Sequence, residues 1–330
     1  MRYDLTMQQR PTKKEDRWLL NRLSREEAIE KLRSEHFKRI TISFYKYINL
    51  GTSDEVHDLR DTLYLDFEGL GCLGRIYLAQ EGINAQMSIP EHNFEKFKEY
   101  LNSITFFKDV PFKIGIDQGE SFWKLHIKVK RQIVADGLNI DDYDISNVGT
   151  HLDARSFNEA MDAEDSIVVD MRNAYESDIG HFKNAITPQV KTFREELPEV
   201  VSTLKGKEDA NVLLYCTGGI RCEKASAYLK SKGFKKVHQL YGGIIGYKHQ
   251  VEQEGLENKF IGANFVFDGR TREQISGDII SSCEDCGAPC DLHINCSHTQ
   301  CNKLFLQCDD CREKTQETCS QTCREMVGVT

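Results

Sequence analysis

Tyr215-Cys216-Thr217-Gly218-Gly219-Ile220-Arg221-Cys222-Glu223-Lys224 follows the apolar run Val212-Leu213-Leu214. A buried strand ending in a cysteine, then a glycine pair, an arginine and a helix-forming segment predict an α/β unit. The thiol falls in the loop between strand and helix. Backbone N–H groups and the positive end of a helix dipole gather at such a place. They lower a thiol's pKa and supply a thiolate nucleophile. The competing reading is a buried structural cysteine beside a tight turn. The glycine pair and Arg221 favour the reactive reading, because together they make an anion cradle.

The surroundings of this stretch alternate helix and strand, the pattern of a parallel-sheet α/β domain over residues 152–256. A helix around Arg155–Met161 precedes the strand Ile167–Asp170. Thr192 and Glu195 have capping-box spacing. A helix over Cys222–Lys232 is closed by Gly233, a short strand covers Val237–Leu240, and Gly242-Gly243 lead into a helix through Tyr247 and Val251. Reactive groups in such sheets lie at the carboxyl ends of strands, where Cys216 falls.

Upstream, residues 1–37 are charged, with Pro11 and a cluster at residues 13–17; Ser24 and Glu27 are spaced to cap a short helix. Residues 38–131 run strand, helix, strand, strand, helix, strand. Ile40, Ile42 and Phe44 alternate with Thr41, Ser43 and Tyr45. Thr52 with Glu55 opens a helix carrying Val56, Leu59, Leu63 and Phe67. Trp123, Leu125, Ile127 and Val129 alternate with Lys124, His126, Lys128 and Lys130. This order predicts a ferredoxin-like (acylphosphatase-like) βαββαβ sandwich with both helices on one side of the sheet. The first and last strands are neighbours in that topology. Tyr45 and Tyr47 are therefore expected beside Lys124, His126 and Lys128 on the helix-free face. Aromatics among cations suit single-stranded RNA; a solvated face, or one packed on the next domain, is the alternative. Residues 132–151, rich in Asp, Asn and Gly, read as a solvated linker.

Charge and composition bound the rest. A chain of 330 residues implies two or three domains, and a net charge of −9 argues against nonspecific nucleic-acid binding by the whole chain. No apolar run is long enough to span a membrane, and no apolar segment follows Met1, so a cytoplasmic protein is expected. Nine of the twelve cysteines lie between Cys283 and Cys323, within a Cys-rich module at residues 257–330. Cys283-x2-Cys286 and Cys308-x2-Cys311 stand 21 residues apart, the spacing of a four-thiolate structural zinc site. Cys290, Cys296, Cys301, Cys319 and Cys323 remain, with His293 and His298 among them, for a second site of unassigned pairing. Disulfides are the alternative, in an oxidising compartment.

Val169-Asp170-Met171-Arg172, Gly180-His181-Phe182-Lys183-Asn184-Ala185, the Cys216 loop and Tyr241-Gly242-Gly243-Ile244 together resemble the ordered motifs of a rhodanese domain. Thr41-Ile42-Ser43-Phe44-Tyr45-Lys46-Tyr47, Glu81-Gly82-Ile83-Asn84-Ala85-Gln86 and the extended loop through Ala225 resemble the bacterial oxygen-dependent tRNA uridine-34 hydroxylases. The resemblance runs from about residue 39 to about residue 323; the basic tail of some members is absent here. It implies hydroxylation at C5 of the wobble uridine, with tRNA as partner and dioxygen as co-substrate. Nothing resembling a flavin, NAD or haem motif is seen, so an unidentified electron donor is part of the expectation.

The loop itself narrows the chemistry. Its C-x4-R spacing is one residue shorter than the C-x5-R cradle of tyrosine phosphatases, which disfavours phosphate. Backbone N–H groups from Thr217, Gly218, Gly219, Ile220 and Arg221 are expected to stabilise the Cys216 thiolate, with Arg221 as the fixed charge. Cys222 either resolves an oxidised Cys216 through a disulfide or packs at the helix start. Asp170 is expected to cap backbone groups, and Arg172 to pair with a carboxylate. The competing enzyme class is a sulfurtransferase carrying persulfide sulfur on Cys216; a noncatalytic RNA-binding protein is disfavoured by the intact loop.

Overall fold

A computed structural model describes residues 23–139 and 142–328. The charged cluster near Pro11 lies outside them, as does Asp141 of the expected linker. Helix α1 (Arg25–Arg33) opens with Ser24 and Glu27 capping each other's backbone. It docks on the following domain, where Lys124 Nζ donates to the Leu23 carbonyl at 2.6 Å and Arg25 lies over the Trp123 ring.

The first domain comprises β1 (Arg39–Tyr47), α2 (Ser53–Gly69), β2 (Leu73–Ala79), β3 (Gly82–Pro90), α3 (Phe94–Ser103), β4 (Lys113–Ile114) and β5 (Leu125–Val129). Alternate strand residues Ile42, Phe44, Ile76, Leu78, Ile83, Ala85 and Met87 point into one core with Val56, Leu63 and Phe67 of α2 and Phe97 and Leu101 of α3. Period two in the strands and spacings of three and four in the helices dictate that layer. The sheet order is β4-β1-β3-β2-β5. The fold is ferredoxin-like, but its last ferredoxin strand is the two-residue β4. The stretch expected in that place forms a fifth strand, β5, parallel to β2 at the opposite edge.

This corrects the expected neighbourhood of Tyr45 and Tyr47 with Lys124, His126 and Lys128. All stay on the helix-free face, but β3 and β2 intervene. Tyr45 is opposite Asn84, Asn84 opposite Tyr77, and Tyr77 opposite Lys128. Three strand spacings put roughly 14 Å between Tyr45 and Lys128. A two-residue strand has no periodicity to read, so the longer amphipathic run after it carries the stronger sequence signal for a last strand.

The second domain comprises β6 (Thr150–Leu152), α4 (Ala154–Met161), β7 (Ser166–Asp170), α5 (Ala174–Ser177), β8 (Gly180–Phe182), α6 (Phe193–Thr203), β9 (Asn211–Tyr215), α7 (Ile220–Ser231), β10 (Lys236–Leu240) and α8 (Gly243–Glu254). Its parallel sheet has the order β6-β10-β9-β7, so Cys216 follows an interior strand. The chain passes residue 256 without leaving this domain: β11 (Phe260–Phe265) pairs antiparallel with β8 and with β12 (Arg272–Gln274). The segment after residue 131 is more than a solvated linker. Ile133 and Asp136 are buried, and Asp136 meets Lys224 of α7 at 2.9 Å. The Cys-rich module holds β13 (His293–Asn295), β14 (Leu304–Leu306), α9 (Asp309–Thr315) and α10 (Gln321–Met326).

Candidate active site

Cys216 sits at the carboxyl end of β9, and its backbone is fixed by α8: the Ile244 N–H donates to the Cys216 carbonyl at 3.0 Å and the Ile245 N–H to that of Thr217 at 3.2 Å. Gly243, at φ +63°, allows this approach, since a Cβ there would stand 2.5 Å from the Cys216 oxygen. Gly219, at φ +97°, turns the chain into α7 and aims its N–H at Cys216 Sγ, 3.2 Å away. A left-handed glycine is required where the loop must fold back on its own sulfur.

Burial pushes the Cys216 thiol up, but the opposing groups win and bring it down to about 6 from 9.0: a hydrogen bond with the Cys222 thiol, the Arg221 charge, and backbone N–H groups of Arg221 and Cys222. Cys222 is fully buried, and burial together with its contact to Cys216 pushes its own thiol well up. One sulfur is held ionised and its neighbour protonated.

Arg221 is held by a residue not singled out from sequence. Glu176 of α5 is fully buried and takes the guanidinium bidentately, at 2.6 and 2.8 Å. Asn173 precedes Glu176 at capping spacing, and its N–H donates to Glu176 Oε1 at 3.1 Å; that spacing was the available signal. Arg172 pairs with Asp170 itself, at 2.8 and 2.7 Å, and the Tyr215 hydroxyl donates to the same carboxylate, so this trio ties β7 to β9 behind the loop. Glu196 of α6 lies buried nearby with neither carboxyl oxygen hydrogen-bonded to a described residue. Burial first, then Asp170, Glu176 and Cys216 against the relief of Arg221, raise its pKa well above the usual carboxylate range.

The helix-free face of the first domain roofs this loop. The Tyr45 hydroxyl donates to Glu223 at 2.9 Å, and the Tyr47 hydroxyl to the Ile220 carbonyl at 3.2 Å. Lys224, fully buried, joins the domains by ion pairs to Glu81 at 3.0 Å and Asp136 at 2.9 Å. Between roof and loop is a cavity of about 330 Å³, with Cys216, Gly218 and Arg221 on its floor, Ser43, Tyr45, Tyr77 and Gln86 above, Lys113 at one side, and Phe267 and Arg270 from beyond β11. Tyr45 therefore belongs to the cavity wall and Tyr47 to the joint between domains. Of the expected basic residues, Lys124 is engaged with Leu23, whereas His126 and Lys128 are exposed. Arg75 is opposite His126 and Tyr77 opposite Lys128 across β2 and β5, which makes one stripe. Desolvation and the charges of Lys128, Lys124 and Arg75 hold His126 below its usual range, so the lysines and the arginine carry the stripe's positive charge. The stripe continues outward from the cavity through Arg75 and Tyr77, which line it.

Three family descriptions match the chain: the UPF0176 acylphosphatase like domain over residues 39–133, the Rhodanese-like domain over 153–250 and the Rhodanase C-terminal over 261–324. Proteins named tRNA uridine(34) hydroxylase match it almost end to end. That from Leptospira interrogans is 54% identical over 96% of this chain and 86% of its own. Those from an Enterobacter species and from Photorhabdus laumondii are 47% and 46% identical over 93% and 94% of this chain, and 88% of theirs. The chain belongs to this family.

The Rhodanase C-terminal region of this hydroxylase-family chain contains two sets of four cysteines. Cys283, Cys286, Cys308 and Cys311 converge with all sulfurs within 4.8 Å of one another, as do Cys296, Cys301, Cys319 and Cys323. Sulfur separations of 3.6 Å (Cys286–Cys308), 3.6 Å (Cys301–Cys319) and 3.8 Å (Cys319–Cys323) are far beyond a disulfide's ~2.05 Å. They match the edge of a tetrahedron around a metal with ~2.3 Å bonds to sulfur, which is ~3.8 Å. Both sets could hold a metal. His293 lies outside both sets and packs its ring on Phe265 and Tyr175.

Proposed function

We propose that this protein hydroxylates C5 of uridine 34 in tRNA, with Cys216 as the reactive group and dioxygen as the oxidant. The observation that carries the reading is the cavity: an acidic thiol on its floor, a face of tyrosines and amides above it, and an exit onto a cationic stripe. A single flipped-out base suits such a cavity, because its faces stack on aromatics and its edge meets amide and hydroxyl groups. The names carried by relatives supply the substrate and the reaction class.

In this reading Arg221, held rigid by Glu176, and the N–H groups of Gly219, Arg221 and Cys222 keep the thiolate ionised and fixed. Cys222 acts as its hydrogen-bond donor rather than as a resolving thiol. Lys128 and Arg75 take tRNA phosphates, with His126 as a neutral hydrogen-bonding neighbour, and Tyr45 and Tyr77 form the walls of the base site. Hydroxylation by dioxygen releases water from the second oxygen atom and takes up two electrons and two protons, so an external donor completes the reaction. Zinc in both cysteine sets is structural, since four thiolates fill the coordination sphere. Their chain order interleaves, with Cys283 and Cys286, then Cys296 and Cys301, then Cys308 and Cys311, then Cys319 and Cys323, so each ion braces the loop that carries the other.

The test is nucleoside analysis of tRNA from cells lacking the gene, complemented with wild-type or variant protein. Wild-type protein restores 5-hydroxyuridine, and Cys216→Ser does not. Full restoration by the serine variant refutes the reading. Thiosulfate-to-cyanide turnover without any change in tRNA nucleosides transfers it to the sulfurtransferase class.

A further inference from the structure

The cations that line the cavity differ in what they already hold. Arg221 is saturated by Glu176, and Arg270 by Asp268 at 2.5 Å and Glu273 at 2.6 Å. Arg75 makes one long contact of 3.5 Å to the Phe267 carbonyl. Lys113 has no carboxylate or carbonyl partner among the described residues; its ammonium lies 4.3 Å from the centre of the Tyr45 ring. Its position is set by the two-residue strand β4, where Lys113 is opposite Ser43 of β1. Its stem comes within 3.6 Å of the place a Cβ would occupy on Gly218, two residues after Cys216. Burial lowers the ammonium to about 8, against the pull of Cys216 and Glu223. An unpaired ammonium beside a thiolate, held by an aromatic face, has a charge to give to a substrate.

We propose that Lys113 binds the uracil O4 and takes up the negative charge that reaches it when the Cys216 thiolate adds to ring C6. This rests on the reading of the cavity as a uridine site. In that step the sulfur lone pair forms the S–C6 bond, the C5=C6 π bond breaks, and its electron pair moves through C4 onto O4. Nothing is oxidised, and the charge moves from sulfur to oxygen, where the Lys113 N–H donates to it. C5 becomes the nucleophilic carbon that hydroxylation requires. Without an oxidant, C5 takes a proton from solvent; loss of its original proton to solvent and departure of the thiolate then restore uracil. The net result is exchange of the C5 hydrogen. Arg75, on the side of the cavity that opens to the stripe, orients the nucleotide with its phosphate outward and its base toward Lys113.

The experiment incubates the full-length protein anaerobically with unmodified tRNA in deuterated water and measures deuterium at C5 of uridine 34 by mass spectrometry. Hydroxylation is measured in parallel as the 5-hydroxyuridine restored in aerobically grown cells lacking the gene, where the cell's own donor is available, and tRNA affinity is measured on the purified protein. Wild type is expected to exchange, and Lys113→Met to lose about 100-fold in both exchange and hydroxylation with tRNA affinity within about threefold. Lys113→Arg, which keeps the charge, is expected to recover most of the loss and guards against a folding defect in the methionine variant. Wild-type exchange by Lys113→Met overturns the proposal, and so does hydroxylation that depends on Cys216 with no exchange by wild type. Those two results leave the hydroxylase reading intact; loss of hydroxylation by wild type in air refutes that reading instead.

Discussion

Cys222→Ala removes the largest of the influences that hold Cys216 acidic. The Cys216 thiol stands at about 6 rather than 9.0, although it is fully buried, and the Cys222 thiol leads the groups that bring it down. A hydrogen bond to a charged group contributes ~1.5–3 kcal/mol, and one pH unit corresponds to ~1.36 kcal/mol. The alanine variant is therefore expected to raise the Cys216 midpoint by about 1–2 units. Cys222→Ser keeps a donor at the same place and holds the midpoint within about half a unit of wild type. The assay is the pH dependence of iodoacetamide labelling, read on the Cys216 peptide by mass spectrometry because bulk thiol titration would mix in the other cysteines. Stability follows the same sign. Cys216 binds fewer protons folded than unfolded between about 6 and 9, so its contribution is present above that window and is lost as the pH falls through 6. Serine also cannot form a disulfide, so an acidic and active Cys222→Ser variant separates donation from resolution. A Cys222→Ala midpoint still at about 6, or a serine variant that behaves like alanine, refutes the account of the loop.

Three further outcomes follow from other parts of the molecule. Protein purified without chelator is expected to release two zinc ions per chain on thiol modification, and Cys301→Ser one, with a lower Tm, because the module's clusters are built largely of cysteines. Metal analysis giving no zinc refutes this. Lys128→Glu is expected to weaken tRNA binding severalfold and to reduce the slope of log affinity against log salt by roughly 0.7–0.9, the value of one phosphate contact; an unchanged slope removes Lys128 from the RNA path. Glu196→Gln is expected to stabilise the protein at pH 8 and to do little near pH 4. The native carboxyl stays protonated above its unfolded pKa, so stability falls as pH rises through that window, by up to ~1.4 kcal/mol per unit. Denaturant titration at both pH values checks it, and equal shifts at the two would show an ionised Glu196.

Sequence periodicity carried the layers of both large domains, because each core is made of side chains at fixed intervals along one element. Ile42 and Phe44 declare their burial by alternation, Val212 to Tyr215 by an unbroken apolar run, and Ser24, Thr52 and Thr192 mark their helices by capping spacing. What stayed hidden depends on pairings between distant segments. Glu176 meets Arg221 across 45 positions, Lys224 meets Glu81 across 143, and Lys113 reaches the loop through a strand only two residues long. Tyr45 and Tyr47 show why function was harder to localise than fold. An aromatic ring with a hydroxyl at its end suits a nucleic-acid base and a neighbouring domain equally well, since both offer a flat apolar surface and hydrogen-bond partners at its rim. Composition alone cannot separate the two. The charges decide: Glu223 accepts from Tyr45, and Lys224, one residue on, is neutralised by Glu81 and Asp136, so the inner part of the face is closed by a joint. The outer part carries exposed Arg75, His126 and Lys128 with no carboxylate paired to any of them among the described residues. The tyrosines build the cavity and the cations lead to it, so one face does both tasks from different strands.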